Sequence, residues 1–236
     1  EHKERGILLF SKISSENNLY LKILTQKDEI ISGLSFGGST KKKKNIFQIG
    51  YFLNIIIKNK NKNFPNTISA ELSKPYYHNI FNDKYKLHSL LALVSLLNIS
   101  IIEGQKVLGL FNLSENIIKI LLNEKKWIIN YFIFLLNLLK IIGYDIDYKK
   151  NTSKDYLNLD SLQFSNLSIS KSIKFPHLLL NSKNDINLEN ASSFFRVFEI
   201  ILQNHHLNNM NLNIPTNYFK FKKIILNFLI KNEKHN

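Results

Sequence analysis

Cysteine is absent from the 236-residue chain, arginine occurs only as Arg5 and Arg196, and there are four prolines, eight glycines, one methionine and one tryptophan. Without thiols there is no disulfide and no thiolate-ligated zinc, and a reducing interior is the default compartment, so a cytoplasmic protein is expected. The start Glu1-His2-Lys3-Glu4-Arg5 has no apolar h-region behind a basic segment, so no signal peptide is expected. Long hydrophobic runs are also missing. The most apolar one, Ile128 to Ile142, contains Asn130, Asn137 and Lys140 and falls short of the ~20 residues a membrane helix needs, so it reads as a buried core helix and no membrane partner is expected. There is no Gly-x-Ser-x-Gly elbow, Walker loop or Gly-x-Gly-x-x-Gly turn, so no enzyme, catalytic residue or cofactor is expected.

What is present is a core and a great deal of positive charge. Hydrophobic residues make up 44% of the chain, enough for one large domain or two small ones. The net charge is +14 and the pI about 9.7, which favours a polyanionic partner. Asn, Ile, Lys, Phe and Tyr are all abundant, as a coding bias toward A and T produces, so the placement of lysines says more than their total. That placement is uneven. Between Glu29 and Glu71 there is no acidic residue, yet the interval holds Lys41, Lys42, Lys43, Lys44, Lys58, Lys60 and Lys62. The four adjacent lysines follow Gly33-Leu34-Ser35-Phe36-Gly37-Gly38-Ser39-Thr40, whose glycine spacing is wrong for a phosphate loop. The run is either a solvated loop or the seat of a polyanion that relieves its self-repulsion.

Periodicity divides the chain. Gly6–Ile13, Leu19–Thr25 and Ile30–Phe36 read as a three-strand meander, Ile46–Ile57 as a fourth strand with a bulge at Gly50, and Thr67–Leu72 as a fifth after a hairpin tip at 59–63. Five short strands match an OB-fold barrel, with a small SH3-like barrel as the alternative. From Lys84 the period becomes helical: Lys84–Leu97, Ser114–Leu122 with Ser114 as N-cap, Ile128–Ile142 stopping at Gly143, Ser192–Leu207, and Tyr218–Ile230 behind Pro215. Residues 149–190 read as irregular, with a short strand near Leu167–Ile169. The predicted class is α+β: an OB-fold domain at 1–82, then an α-helical domain at 83–236 carrying the irregular insert.

The order of several short segments resembles the bacterial DNA repair and recombination mediator family RecO. They are Arg5-Gly6-Ile7-Leu8-Leu9, Leu24-Thr25 before an acidic turn, Gly33-Leu34 leading to Gly37-Gly38 and a basic loop, and Phe47-Gln48-Ile49-Gly50. Further on come Leu138-Leu139 to Gly143-Tyr144-Asp145-Ile146-Asp147, and His205-His206-Leu207 to Pro215. The resemblance implies an N-terminal OB domain, a central helical domain, and a module that in many members holds a four-cysteine zinc site. With no thiol that zinc site is excluded here, and no metal site is expected; adjacent His205 and His206 diverge on a helix, and Asp145 with Asp147 lack a third ligand.

The expected function is therefore sequence-tolerant binding of single- and double-stranded DNA, with Arg5, Lys41, Lys42, Lys43, Lys44, Lys58, Lys60 and Lys62 as contacts. Tyr20, Phe36, Tyr51 and Phe52 are candidate stacking residues. The resemblance further implies strand annealing, help in loading recombinase on DNA coated with single-strand-binding protein (SSB), and two protein partners, RecR and the acidic C-terminal tail of SSB. A structural RNA-binding protein using the same basic loops is the alternative, and a charge-drawn peripheral membrane protein a third reading.

Overall fold

A computed structural model describes residues 1–59, 65–73, 78–181 and 186–233. His2–Ser15 (β1), Asn18–Thr25 (β2), Ile30–Ser35 (β3), Phe52–Lys58 (β4) and Asn66–Leu72 (β5) close into a barrel of order β1-β2-β3-β5-β4. Every neighbouring pair is antiparallel except β3 with β5, the closed five-strand arrangement of an OB-fold. Period-two alternation decides which side chains face in. On β2, Leu19, Leu21 and Ile23 enter the core with Leu8, Phe47, Leu53, Ile55, Ile57 and Ile68, leaving Tyr20 and Lys22 on the outer surface.

Strand β1 serves two partners. Its first half pairs with β4 from His2 to Ile7, its second with β2 from Gly6 to Ser15, and a register shift between Leu8 and Phe10 bends it between them. The predicted fourth strand is shorter than its apolar run. Ile46 to Tyr51 form turns instead: Phe47 plugs the barrel core at 6% exposure, and Gly50 N–H donates to the Leu8 carbonyl at 2.7 Å. Apolar residues that fill the barrel end leave no ladder to extend.

The four-residue helix α1 (His78–Phe81) precedes α2 (Lys84–Ser100) and α3 (Leu110–Asn123). Asp83 caps α2 by accepting from the Tyr85 and Lys86 amides. Ser114 is not the cap of α3; it lies inside the helix with its hydroxyl donating to the Leu110 carbonyl at 2.8 Å. The end of α3 is satisfied by a residue distant in sequence. Asp28, in the β2–β3 turn with φ of +66°, accepts from Gly109 N–H and Phe111 N–H, both at 2.9 Å. A carboxylate at a helix N-terminus also meets the positive end of the helix dipole. Asp28→Ala is therefore expected to lower stability by about 1–2 kcal/mol, read by urea unfolding, with Asp28→Asn recovering part of the loss.

The contacts group the chain into two compact units, 1–122 and 123–236, whereas sequence periodicity changes near 82/83. Helices α2 and α3 belong by contact with the barrel because Ile7 and Leu24 point outward yet are fully buried, α2 packs on β1, and Asp28 grips α3.

The second unit contains α4 (Ile128–Ile141), α5 (His177–Asn181), α6 (Leu188–Ile201), which continues as a wider turn through Leu207, and α7 (Thr216–Glu233). Its core is aromatic: Phe132 lies 4.5 Å from Phe194 and 5.2 Å from Phe195, and Tyr131 lies 4.6 Å from Phe221, between ring centroids. Each such pair adds about 0.5–1.5 kcal/mol beyond simple burial. Among the described residues no helix is long and apolar enough to cross a membrane.

The described residues from 149 to 181 are more ordered than their composition predicts. Tyr156–Asn158 (β6), Phe164–Ser165 (β7) and Ser172–Lys174 (β8) form a small sheet with β6 central. Leu157, Phe164, Phe175 and Leu179 are buried beneath it, with Phe164 and Phe175 packed edge to face at 5.1 Å. The strand predicted near Leu167–Ile169 is instead an exposed loop.

Candidate nucleic-acid interface

The barrel register aligns one outward residue from every strand into a single row. Lys12 on β1 pairs with Tyr20 on β2, Tyr20 with Leu34 on β3, Leu34 with Thr67 on β5, and Thr67 with Lys58 on β4. Directly paired residues share a face, so an aromatic and an aliphatic side chain lie between a lysine at each end. A second row runs Phe10, Lys22, Ser32. The rings of Phe10 and Tyr20 meet edge to face at 6.4 Å. The acid nearest these rows is Glu103, which accepts a hydrogen bond from the Ser32 hydroxyl.

The tetralysine loop rises from the end of β3 and is anchored at both ends by groups other than lysine side chains. Gly37, at φ +66°, lets the chain reverse after Phe36. Its N–H donates to Asn18 Oδ1 at 3.1 Å, and Ser39 N–H donates to the Asn17 carbonyl at 3.0 Å, tying the loop to the β1–β2 turn. The Thr40 hydroxyl closes back on the Gly37 carbonyl at 2.8 Å. On the far side Phe47 is locked in the barrel core, and Gln48 Nε2 donates to the Lys44 carbonyl at 3.0 Å. The four lysine side chains are all exposed. A fixed backbone thus holds four ammonium groups at the edge of the two rows.

Of the other predicted contacts, Lys58 stands at the β4 end of the first row, about half exposed and 3.3 Å from Glu1. Lys60 and Lys62 lie outside the described residues. Arg5 is drawn elsewhere: its guanidinium pairs with Glu115 on α3 and lies 4.3 Å from the Phe52 ring centre. Partial burial pushes the Glu115 carboxyl up, but Lys119 and Arg5 together outweigh this and hold it below the ordinary value. A lowered carboxylate contributes stability that is complete above the unfolded-state value and is lost as pH falls through the folded one. Arg5→Ala is therefore expected to cost about 1–2 kcal/mol at neutral pH, to flatten the acid limb of the stability curve, and to leave DNA affinity unchanged. Thermal unfolding across that pH range checks it.

The stacking candidates separate by burial. Phe52 is fully buried, Tyr51 is half-buried against Phe81 at 5.8 Å with its hydroxyl pKa raised by desolvation, Tyr20 is half-buried in the first row, and Phe36 is 57% exposed. Sequence reading missed Lys12, Lys22 and Phe10. The alternation of β2 carries the signal for Lys22, which lies opposite to Leu21 and Ile23, whereas Phe10 and Lys12 share the parity of inward Leu8 and face out only because of the register shift between Leu8 and Phe10.

In the second unit, a groove of about 700 Å³ runs between the start of α4 and the end of α7, with Lys125 and Lys126 on its rim and Ile128, Ile129, Phe228 and Leu229 among its walls. Arg196 is exposed, and Glu199 nearby on α6 pairs with Lys222 at 2.7 Å. His205 Nε2 donates to the Leu159 carbonyl at 2.6 Å. Asp145 pairs with Lys140, and Asp147 with Lys150. No cluster of three potential metal ligands occurs among the described residues.

No protein-family model matches the chain. Individual relatives do. The DNA repair protein RecO of Rickettsia bellii (strain OSU 85-389) is 26% identical over 211 residues, covering 82% of this chain and 86% of the relative. That of Rickettsia canadensis (strain McKiel) is 26% identical over 198 residues, covering 79% and 81%. Over about four fifths of its length the chain is similar to these RecO proteins. The fold displays an N-terminal OB barrel followed by helices. The outward rows carry Lys12, Lys22 and Lys58, and the loop beside them carries Lys41 to Lys44.

Proposed function

We propose that this RecO-like protein acts in DNA repair and homologous recombination by binding single- and double-stranded DNA through its OB barrel and annealing complementary strands in the cytoplasm. The observation that carries the reading is the continuous row Lys12-Tyr20-Leu34-Thr67-Lys58 beside an anchored tetralysine loop. Two strands repel each other through their phosphates; a surface that neutralises several phosphates on each lowers that repulsion and speeds pairing. Nothing in this sequence of events requires a catalytic residue.

The helical unit supplies recruitment. Its groove joins two ammonium groups to an apolar wall, a combination that suits a short acidic peptide ending in apolar residues, such as the SSB tail. RecR engages the OB barrel, and together these contacts assist recombinase loading on SSB-coated strands. The test is strand annealing followed by fluorescence quenching at several salt concentrations. Annealing is expected to be fast, and the log–log dependence of binding on salt to have a slope of about −3 for four or five neutralised phosphates. A slope near zero, or tight preference for structured RNA, overturns the reading.

A further inference from the structure

Resting on that DNA-binding reading, we propose that Phe36 is a base-stacking platform that makes the barrel face discriminate in favour of unpaired nucleotides. An isolated exposed aromatic carries no message, but Phe36 is not isolated. It continues the outward alternation of β3 past Ser32 and Leu34, and Leu34 is paired with Tyr20, which meets Phe10. From strand spacing and rise per residue, Phe36 and Tyr20 stand on the order of 8 Å apart, within the step of an extended single strand. The backbone next to the ring is also anchored: Gly37 N–H is fixed by Asn18, and the adjoining turn is closed by Thr40 on the Gly37 carbonyl.

Charge is delivered to the same point. Lys43 Nζ approaches the Phe36 carbonyl at 3.5 Å, so an ammonium group hovers beside the ring's own backbone. One nucleotide can set its base on Phe36 while its phosphate meets Lys43. A duplex keeps its base faces stacked inside and offers only phosphates, so it gains the charge contacts without the ring. The lysines thus set affinity for any strand, and Phe36 sets the difference between strand types.

The measurement compares the full-length chain with Phe36→Ala and Phe36→Tyr by fluorescence anisotropy, using an oligothymidylate and a duplex of equal length at several salt concentrations. Phe36→Ala is expected to weaken oligothymidylate binding roughly five- to hundred-fold, with duplex binding and the salt slope unchanged, and Phe36→Tyr to restore it. The same loss on both substrates, or no loss on either, overturns the proposal. If instead neither wild-type affinity responds to salt, the DNA-binding reading itself fails, and the two failures are distinct. A Phe36→Trp variant gives a direct signal: its emission is expected to be quenched by oligothymidylate and not by duplex, and unchanged emission with both overturns stacking at this position.

Discussion

Replacing Lys41, Lys42, Lys43 and Lys44 together by alanine is expected to weaken single-stranded DNA binding several-hundred-fold near 0.1 M salt and to reduce the magnitude of the salt slope by about 2.8. Each neutralised phosphate on a single strand contributes about 0.7 to that slope, so four lysines account for both figures. The fold is expected to survive. The loop is anchored by backbone and by Asn18, Thr40, Phe47 and Gln48, and the lysine side-chain contact seen among the described residues, Lys43 to Phe36, is long and exposed. Removing four mutually repelling charges costs the native state nothing, so the melting temperature should hold or rise slightly. Annealing should slow in step with binding, because two strands then meet with their repulsion unrelieved. Unchanged affinity and slope would establish the run as a solvated loop with no part in binding.

The tetralysine run was legible because four like charges cannot be buried, and the barrel because its inward residues alternate without interruption on β2. The partner of Arg5 was not legible for a related reason. A basic residue opening a strand looks available, and only the fold brings Glu115, which is 110 positions away, to pair with it. The same limit hid the cap of α3: Asp28 and Gly109 are separated by 81 positions, while Ser114 mimicked a local cap. The small sheet at 156–174 escaped notice because its strands are two or three residues long, too short for alternation to rise above a Ser- and Asn-rich background. Lys22 was legible in principle, since its face follows from Leu21 and Ile23. Lys12 was not, because it shares the parity of inward Leu8 and is turned outward by the register shift between Leu8 and Phe10, and joining either to Lys58 needs the parallel β3–β5 pairing, which no local pattern specifies.

That pairing is also where a single methyl group should do the most damage. Among the described residues the ladder between β3 and β5 pairs Gly33 with Asn66 and Leu34 with Thr67. A Cβ placed on Gly33 meets the Asn66 backbone carbonyl oxygen at 2.5 Å and two side-chain carbons of Ile68 at 2.8 Å. Ile68 is 1% exposed and belongs to the barrel core, so it has no open space into which to retreat, and the carbonyl is fixed by its own strand. Relief requires β5 to move off β3, which unzips the closure and admits water to the core. Gly33→Ala is therefore expected to cost about 3 kcal/mol, at the upper end of the usual overpacking cost, against roughly 1 kcal/mol or less for a change of glycine propensity alone. Urea unfolding followed by tryptophan-independent circular dichroism reads the difference, and a cost under about 1 kcal/mol would mean that the closure at 33 and 66 yields easily. The functional consequence separates this from simple destabilisation. Molecules that remain folded at low temperature should still bind through Lys41 to Lys44, but with Thr67 and Lys58 pulled out of line with Tyr20 the salt slope should shrink by the contribution of Lys58, about 0.7.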